Sequence, residues 1–239
     1  MKIMTWNIRH GGSNRITKIL ETIQGHNPDL LVLTEYHTGT NIDTKLKDLG
    51  WGFQCDSKPG EKTNGILIVC KEPIVQSYIS YGVNLPERWL EVTLPHRNLS
   101  VLGVYVPDAR TDEKITRKKG AFLESVINFA SERLNTQCMI LGDFNTGLKI
   151  DGEGTPFARA EYLKQLSEIG WIDCWRSRYP VDREFTWYSH ARNGKRNGFR
   201  LDYCFVTPSL NDRVNSVNYS HLERLEGVSD HSSLILDIQ

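Results

Sequence analysis

Apolar residues along the chain fall into short runs of strand length, each bounded by turn-forming residues. The runs are Ile3–Ile8, Leu30–Leu33, Gly65–Cys70, Trp89–Leu94, Leu99–Val106, Met139–Leu141, Leu201–Val206 and Ser233–Ile238. Their content of branched side chains predicts β-strands. Helical spacing interrupts them in three places. Ile16, Ile19, Leu20 and Ile23 repeat on one helix face and stop near Gly25 and Pro28; Phe122, Val126, Ile127 and Phe129 form a second such face; Tyr162, Leu163, Leu166 and Ile169 form a third, before Gly170. The runs at 65–70, 89–94 and 99–106 follow one another without a helix between them and resemble hairpin neighbours. This mixture predicts a two-sheet core with helices packed outside it, not a purely parallel sheet. No internal repeat, low-complexity linker or charge block divides the chain. One domain spanning residues 1–239 is therefore expected, with 189–199 as its most mobile loop.

Composition narrows the class without naming a chemistry. The 239 residues can bury a sizeable core, and 24% charged with 39% hydrophobic residues is ordinary for a soluble globular protein. Lys plus Arg and Asp plus Glu balance at 29 each, which counts against a purely electrostatic nucleic-acid binder, although acids gathered at a metal would mask a local basic surface. The five cysteines contain no Cys-x-x-Cys pair; neither a zinc site nor a disulfide framework is expected, and Cys70, Cys138 and Cys204 read as buried free thiols. No charged leader precedes a long apolar stretch and no run reaches transmembrane length. A cytoplasmic protein without membrane contact is expected, and a monomer.

Chemistry enters where the strands end. Ile3–Trp6 runs into Asn7, and Leu30–Leu33 runs through Thr34 into Glu35. Val101–Val104 leads to Tyr105 and then Pro107-Asp108. Met139-Ile140-Leu141 leads to Gly142-Asp143-Phe144-Asn145; Arg200-Leu201-Asp202-Tyr203 opens another strand, and Ser229-Asp230-His231 precedes the last. Singly, each such acid or amide is an ordinary turn former. Jointly, strand ends meeting at one sheet edge would gather Asn7, Glu35, Asp143, Asn145, Asp202, Asp230 and His231. Carboxylates so crowded repel unless a cation neutralises them, and an oxygen-rich set with one imidazole suits Mg²⁺ or Mn²⁺ better than zinc or a redox metal.

The motifs Thr5-Trp6-Asn7-Ile8, Leu33-Thr34-Glu35, Gly103-Val104-Tyr105-Val106-Pro107-Asp108, Gly142-Asp143-Phe144-Asn145, Arg200-Leu201-Asp202-Tyr203 and Ser229-Asp230-His231 resemble, in the same order, those of the endonuclease/exonuclease/phosphatase superfamily. The resemblance implies an α/β fold, a four-layer α/β/β/α sandwich of two mixed sheets flanked by helices, and metal-assisted hydrolysis of a phosphate ester. The stretch Gly170–Arg176, then Phe185-Thr186-Trp187-Tyr188 and Gly198–Tyr203, is most similar to exonuclease III and the abasic-site endonucleases, implying DNA as substrate. In that subfamily the positions of Trp187, Phe199 and Leu201 line a pocket for a flipped-out sugar; packing beneath a loop is the alternative.

By the same resemblance Glu35 is the leading metal ligand, with Asn7 and Asp230 near it, and Asp143 and Asn145 orient the attacking water or a phosphate oxygen. His231, paired with Asp202, would donate to the phosphate, and Tyr105 would hydrogen-bond the phosphate or assist the leaving group. Arg9, Asp108, Arg110 and Arg200 are expected at the substrate, with Arg117, Arg192, Lys195 and Arg196 as further candidates for backbone contacts. The chain departs from the subfamily at Thr34, at Asp108, in Arg9-His10-Gly11-Gly12 and in the compact 39–64 connection. A phosphatase or phosphodiesterase acting on a nucleotide, inositol phosphate or lipid head group therefore stays open as the alternative to a DNA nuclease.

Overall fold

The computed structural model describes residues 1–78, 81–109, 112–191 and 194–239; Arg110 and Arg192 lie outside the described residues. Each of the eight strands predicted from the sequence forms within three residues of its expected limits, the largest difference being Leu30–Tyr36, which runs on past Leu33, and the strands assemble into two six-stranded mixed sheets. In the first, the spatial order is Val214–Ser220, Ser233–Ile238, Lys2–Asn7, Leu30–Tyr36, Gly65–Cys70, Phe53–Asp56. In the second it is Val75–Gln76, Trp89–Leu94, Leu99–Tyr105, Cys138–Asp143, Asp202–Val206, Ile172–Asp173. A two-stranded ribbon of Trp187–Tyr188 and Gly198–Phe199 stands apart and occupies both ends of the loop expected at 189–199.

Alternation along the strands explains the layering. Ile3, Leu30, Val32, Ile66 and Ile68 of the first sheet meet Leu90, Val92, Val101, Met139, Leu141 and Cys204 of the second in one buried cluster. The opposite face of the first sheet, with Met4, Trp6, Leu31, Leu33 and Leu67, packs on Ile19 and Ile23 of the helix Ile16–His26 and on Ile42 and Leu46 of the helix Ile42–Asp48. The outer face of the second sheet, with Leu102, Val104, Ile140 and Phe205, packs on Phe122, Val126 and Phe129 of the helix Glu113–Arg133 and on Leu163 and Leu166 of Glu161–Ile169. Strands covered on both faces must be apolar on both; hence the near-continuous runs in the sequence, and hence the four layers, helix, sheet, sheet and helix.

Local chemistry sets the ends. Asp112 caps the long helix by accepting from the amides of Lys114 and Ile115, and Asn27 closes the first helix in the left-handed region, its N–H bonded to Ile23 O. One pairing differs from expectation: Gly65–Cys70 pairs with Leu30–Tyr36 and Phe53–Asp56 in the first sheet, whereas Trp89–Leu94 and Leu99–Tyr105 form a hairpin in the second. Adjacency in sequence concealed a change of sheet. No described helix is long and apolar enough to cross a membrane.

Candidate active site

The strand registers bring the polar strand ends together. Parallel pairing of the first and second strands sets Asn7 opposite Thr34. The ladder between Leu30–Tyr36 and Gly65–Cys70 then shifts between Thr34 and Tyr36. Glu35, with φ 57°, is the extra residue of this bulge, a device that re-aims a side chain. In the second sheet Tyr105 pairs with Asp143 in parallel register, and Asp143 pairs with Asp202 in antiparallel register. Gly142, at φ +141°, must be glycine, since a Cβ there would sit 2.0 Å from the Val104 carbonyl oxygen. Ser229 ties the last turn in: its hydroxyl donates to Asn7 O at 2.6 Å and accepts from the His231 amide at 3.2 Å.

The side chains form bonded groups that lie against one another. Asn7 Nδ2 donates to both Glu35 Oε1 and Asp143 Oδ2, each at 3.0 Å, and so bridges the two carboxylates. Tyr105 donates its hydroxyl to Glu35 Oε1 at 3.1 Å. Asn145, left-handed at φ 47°, donates its amide to Asp143 Oδ1 and its side chain to Asp143 Oδ2. His231 Nδ1 bonds Asp202 Oδ2 at 2.9 Å, while its Nε2 lies 3.9 Å from Asp143 Oδ2. Trp187 Nε1 donates to Asp230 Oδ2 at 3.1 Å, and its ring lies 6.5 Å from that of His231.

Burial sets the proton affinities. Asp143 is 1% exposed, and burial pushes its carboxyl above the usual carboxylate range; His231 opposes the shift and Asp202 adds to it. For His231, burial disfavours the charged ring, but the carboxylates of Asp202 and then Asp143 outweigh it and hold the imidazole well above its ordinary value. Burial, with Glu35 and Asp143 adding, raises the Tyr105 hydroxyl, which stays a neutral donor. Among the described residues, Asp143, Asp202 and His231 are the acids and imidazole whose ligand atoms gather within 4.8 Å. An imidazole that carries its proton and spends Nδ1 on Asp202 is a poor ligand, however, so this trio is better built for moving a proton. Glu35, with 12% of its side chain exposed, and the half-buried Asp230 are the carboxylates of this cluster open to solvent.

The residues expected at the substrate divide. Trp187, Phe199 and Leu201 stand together: the Trp187 and Phe199 rings are 5.9 Å apart, and the strand at Leu201 is held by bonds to Thr186 Oγ1 and from Phe144 N. Arg9 is exposed, its amide bonded to Asn7 Oδ1. Asp108 is exposed and acts electrostatically on the buried ammonium of Lys119. Arg200 corrects the sequence reading. It is fully buried, with Nε on Asp151 Oδ1 and Nη2 on Asp173 Oδ2, both at 2.7 Å, so its charge is consumed inside the fold and is not presented to a phosphate.

Other residues complete the site without having been singled out. Lys119, buried on the long helix, donates Nζ to Asn145 O at 2.6 Å, and burial lowers its ammonium to about 8. Thr186 Oγ1 holds the Asp202 amide and Tyr219 the Asp202 carbonyl, at 2.6 Å for the latter. Asn64 contacts His37 at 2.5 Å and bonds Tyr105, over whose ring Arg88 sits at 4.3 Å. His10 lies on Glu35, its amide 2.7 Å and its Nδ1 3.3 Å from Oε2. No local pattern in the sequence marks these residues; long-range packing brings them in.

Residues 4–231 match the Endonuclease/Exonuclease/phosphatase family, and the chain belongs to it. Members of this family are metal-dependent hydrolases of phosphate esters. Among known relatives, an exodeoxyribonuclease of Bacillus subtilis (strain 168) is 24% identical over 92% of this chain and 93% of its own. A DNA-(apurinic or apyrimidinic site) endonuclease of Dictyostelium discoideum is 26% identical over 97% of this chain and 68% of its own. The fold is similar to that of the 3′ phosphatase NExo from Neisseria bound to a product DNA hairpin, with a TM-score of 0.85, 22% identity, and coverage of 100% of this chain and 99% of that one.

Proposed function

We propose that the chain hydrolyses phosphodiester bonds of DNA with the help of a divalent cation, Mg²⁺ or Mn²⁺, as one catalytic domain acting as a monomer. The observation that carries this reading is the meeting of two bonded groups where the two sheets' strand ends come together: Asn7, Glu35, Tyr105, Asp143 and Asn145 form one, Asp202 and His231 the other, and His231 Nε2 lies 3.9 Å from Asp143 Oδ2. The donor set fits a hard cation: Glu35, Asp143 and Asp230 offer carboxylate oxygens and Asn7 and Asn145 amide oxygens, and Glu35 sits in a bulge at positive φ with part of its side chain exposed. Glu35 and Asp230 would hold the ion, with Asn7, Asp143 and Asn145 beside them. When bound, it would offset charge on the phosphate and lower the proton affinity of water.

The remaining work falls to the protein. Asp143, held by Asn7 and Asn145 and raised by burial, is suited to take a proton from the attacking water near neutral pH. His231 offers Nε2–H to a non-bridging phosphate oxygen, while Asp202 fixes its tautomer and its charge. Tyr105, a neutral phenol, would turn its one proton from Glu35 Oε1 to the phosphate or the departing oxygen once substrate binds.

DNA is favoured over a small phosphoester by the two relatives named for DNA and by the aromatic wall. Phe157, Phe199, Trp187 and His231 form a chain of rings spaced 5.5, 5.9 and 6.5 Å apart. This wall runs from a groove of about 720 Å³ lined by Lys149, Phe157 and Arg183 to the catalytic imidazole. Such a path suits a strand with an unstacked nucleotide. Five free cysteines support a reducing compartment such as the cytoplasm. The test is cleavage of three labelled substrates with Mg²⁺, Mn²⁺ or EDTA: duplex DNA with one abasic site, intact duplex, and a soluble phosphomonoester. Metal-dependent nicking of either duplex supports the proposal and separates lesion-specific from general cutting; turnover of the phosphomonoester alone would replace it with the phosphatase reading.

A further inference from the structure

The turn after Asn7 carries backbone strain that the catalytic roles above do not use. Five consecutive residues lie at positive φ: Arg9 at 55°, His10 at 49°, Gly11 at 66°, Gly12 at 79° and Ser13 at 46°. Three of them are not glycine, and each such residue costs on the order of 1–3 kcal/mol unless its surroundings hold it there. The surroundings do. A Cβ on Gly11 would meet His37 Cβ at 2.8 Å, so the turn lies flat on that residue. Arg15 clamps it from the other side, its guanidinium donating to Arg9 O and to Val228 O, beside the Ser229-Asp230-His231 segment.

What this strained turn presents is His10. Its amide and its Nδ1 both face the same oxygen, Glu35 Oε2, at 2.7 and 3.3 Å, while Asn7 and Tyr105 occupy Oε1. The His10 side chain is 72% exposed and Glu35 12%. A contact so exposed on the His10 side adds little stability of its own, about 0–1 kcal/mol, while it sets an imidazole nitrogen and a carboxylate oxygen as far apart as two neighbouring ligands of one cation. We propose that His10 is a nitrogen ligand for the divalent cation held at Glu35, giving this chain an imidazole at an otherwise all-oxygen site. An imidazole donor favours Mn²⁺ over Mg²⁺, which demands oxygen and keeps its waters. His10 thus biases the site towards manganese. The inference rests on the assignment of Glu35 as a cation ligand.

The experiment is Mn²⁺ binding to the full chain, followed by electron paramagnetic resonance with spin-echo detection of nitrogen coupling. Mg²⁺ affinity is measured separately by calorimetry. Wild type, His10→Ala, His231→Ala and Glu35→Ala are compared. The expected result is nitrogen modulation that survives in His231→Ala and vanishes in His10→Ala. That vanishing should come with Mn²⁺ binding weakened by about tenfold or more, the scale on which ligand-shell residues act, and a smaller loss for Mg²⁺. If His10 merely pairs with Glu35, its removal frees the carboxylate, and Mn²⁺ binds equally well or more tightly with the nitrogen signal unchanged; either finding overturns the proposal. Glu35→Ala separates the two levels. Wild-type Mn²⁺ affinity in that variant would remove the Glu35 assignment itself, whereas weak binding there beside an unaltered His10→Ala would sink only the role of His10.

Discussion

Replacing Arg200 by methionine distinguishes a structural guanidinium from a DNA contact. The side chain is fully buried, and its fork spans two carboxylates: Nε on Asp151 Oδ1 at 2.7 Å, Nη2 and Nη1 on Asp173 at 2.7 and 3.2 Å. Breaking a buried ion pair by removing one partner costs about 3–5 kcal/mol. The lower end applies here. Asp151 keeps Arg176 Nη2 at 2.7 Å and the Tyr203 hydroxyl at 3.1 Å, and Asp173 keeps the amides of Trp175 and Arg176. For a chain of this size about 3 kcal/mol lowers Tm by roughly 6–12 °C. Thermal unfolding followed by circular dichroism reads the loss, and the salt dependence of DNA binding is measured on the same protein below its transition. Arg200→Met should unfold earlier while the slope of log K against log salt stays at its wild-type value. An unchanged Tm with a slope reduced by about 0.9, the signature of one lost phosphate contact, would refute the structural assignment.

Asp202→Asn should retain the fold, since Asn keeps the shape at Oδ2, yet lose about 10²–10⁴ in turnover because His231 loses both its tautomer and its charge; a loss below fivefold in steady-state cleavage would contradict that pairing's role. Gly142→Ala should fail to give a cooperative unfolding transition, given the 2.0 Å approach to Val104 O and a φ of +141°; a wild-type melting curve would refute it. For Asp151, burial alone would raise the carboxyl, but Arg200 and Arg176 outweigh it and hold it below the ordinary value. The stability from this carboxylate is therefore complete above the ordinary Asp pKa of about 3.9 and is lost as pH falls through the lower folded value. The Tm gap between wild type and Asp151→Asn should accordingly be constant near neutrality and close in acid; a gap that persists to pH 2 would count against the ion pairs.

What the sequence made legible, and what it hid, follow from the range of the interactions. Strand ends such as Asn7, Glu35 and Asp143 stood out because a polar group closing an apolar run is a local signal, and the registers then put them side by side. Trp187 reaching Asp230 depended on a ribbon whose strands are 2 residues long, too short to produce a pattern. Arg200 reads as a substrate contact because it stands between Phe199 and Leu201, two residues expected at the substrate, while the carboxylates that bury it come from residues 151 and 173. Lys119 shows the reverse: a lysine in a helix reads as solvated, and only the packing of that helix against the turn at Asn145 turns it inward. The helix Ile42–Asp48 and strand Phe53–Asp56 were hidden within the compact 39–64 connection, each too short for its period to register.

The most direct test of the central claim is the single-turnover rate at which Asp143→Asn nicks duplex DNA containing one abasic site, beside wild type, with saturating Mg²⁺ or Mn²⁺. With Asp143 accepting the proton from water, the rate should fall by about 10²–10⁴ at unchanged unfolding temperature. A rate within fivefold of wild type would contradict the assignment of Asp143 and, with it, the mechanism built on this cluster.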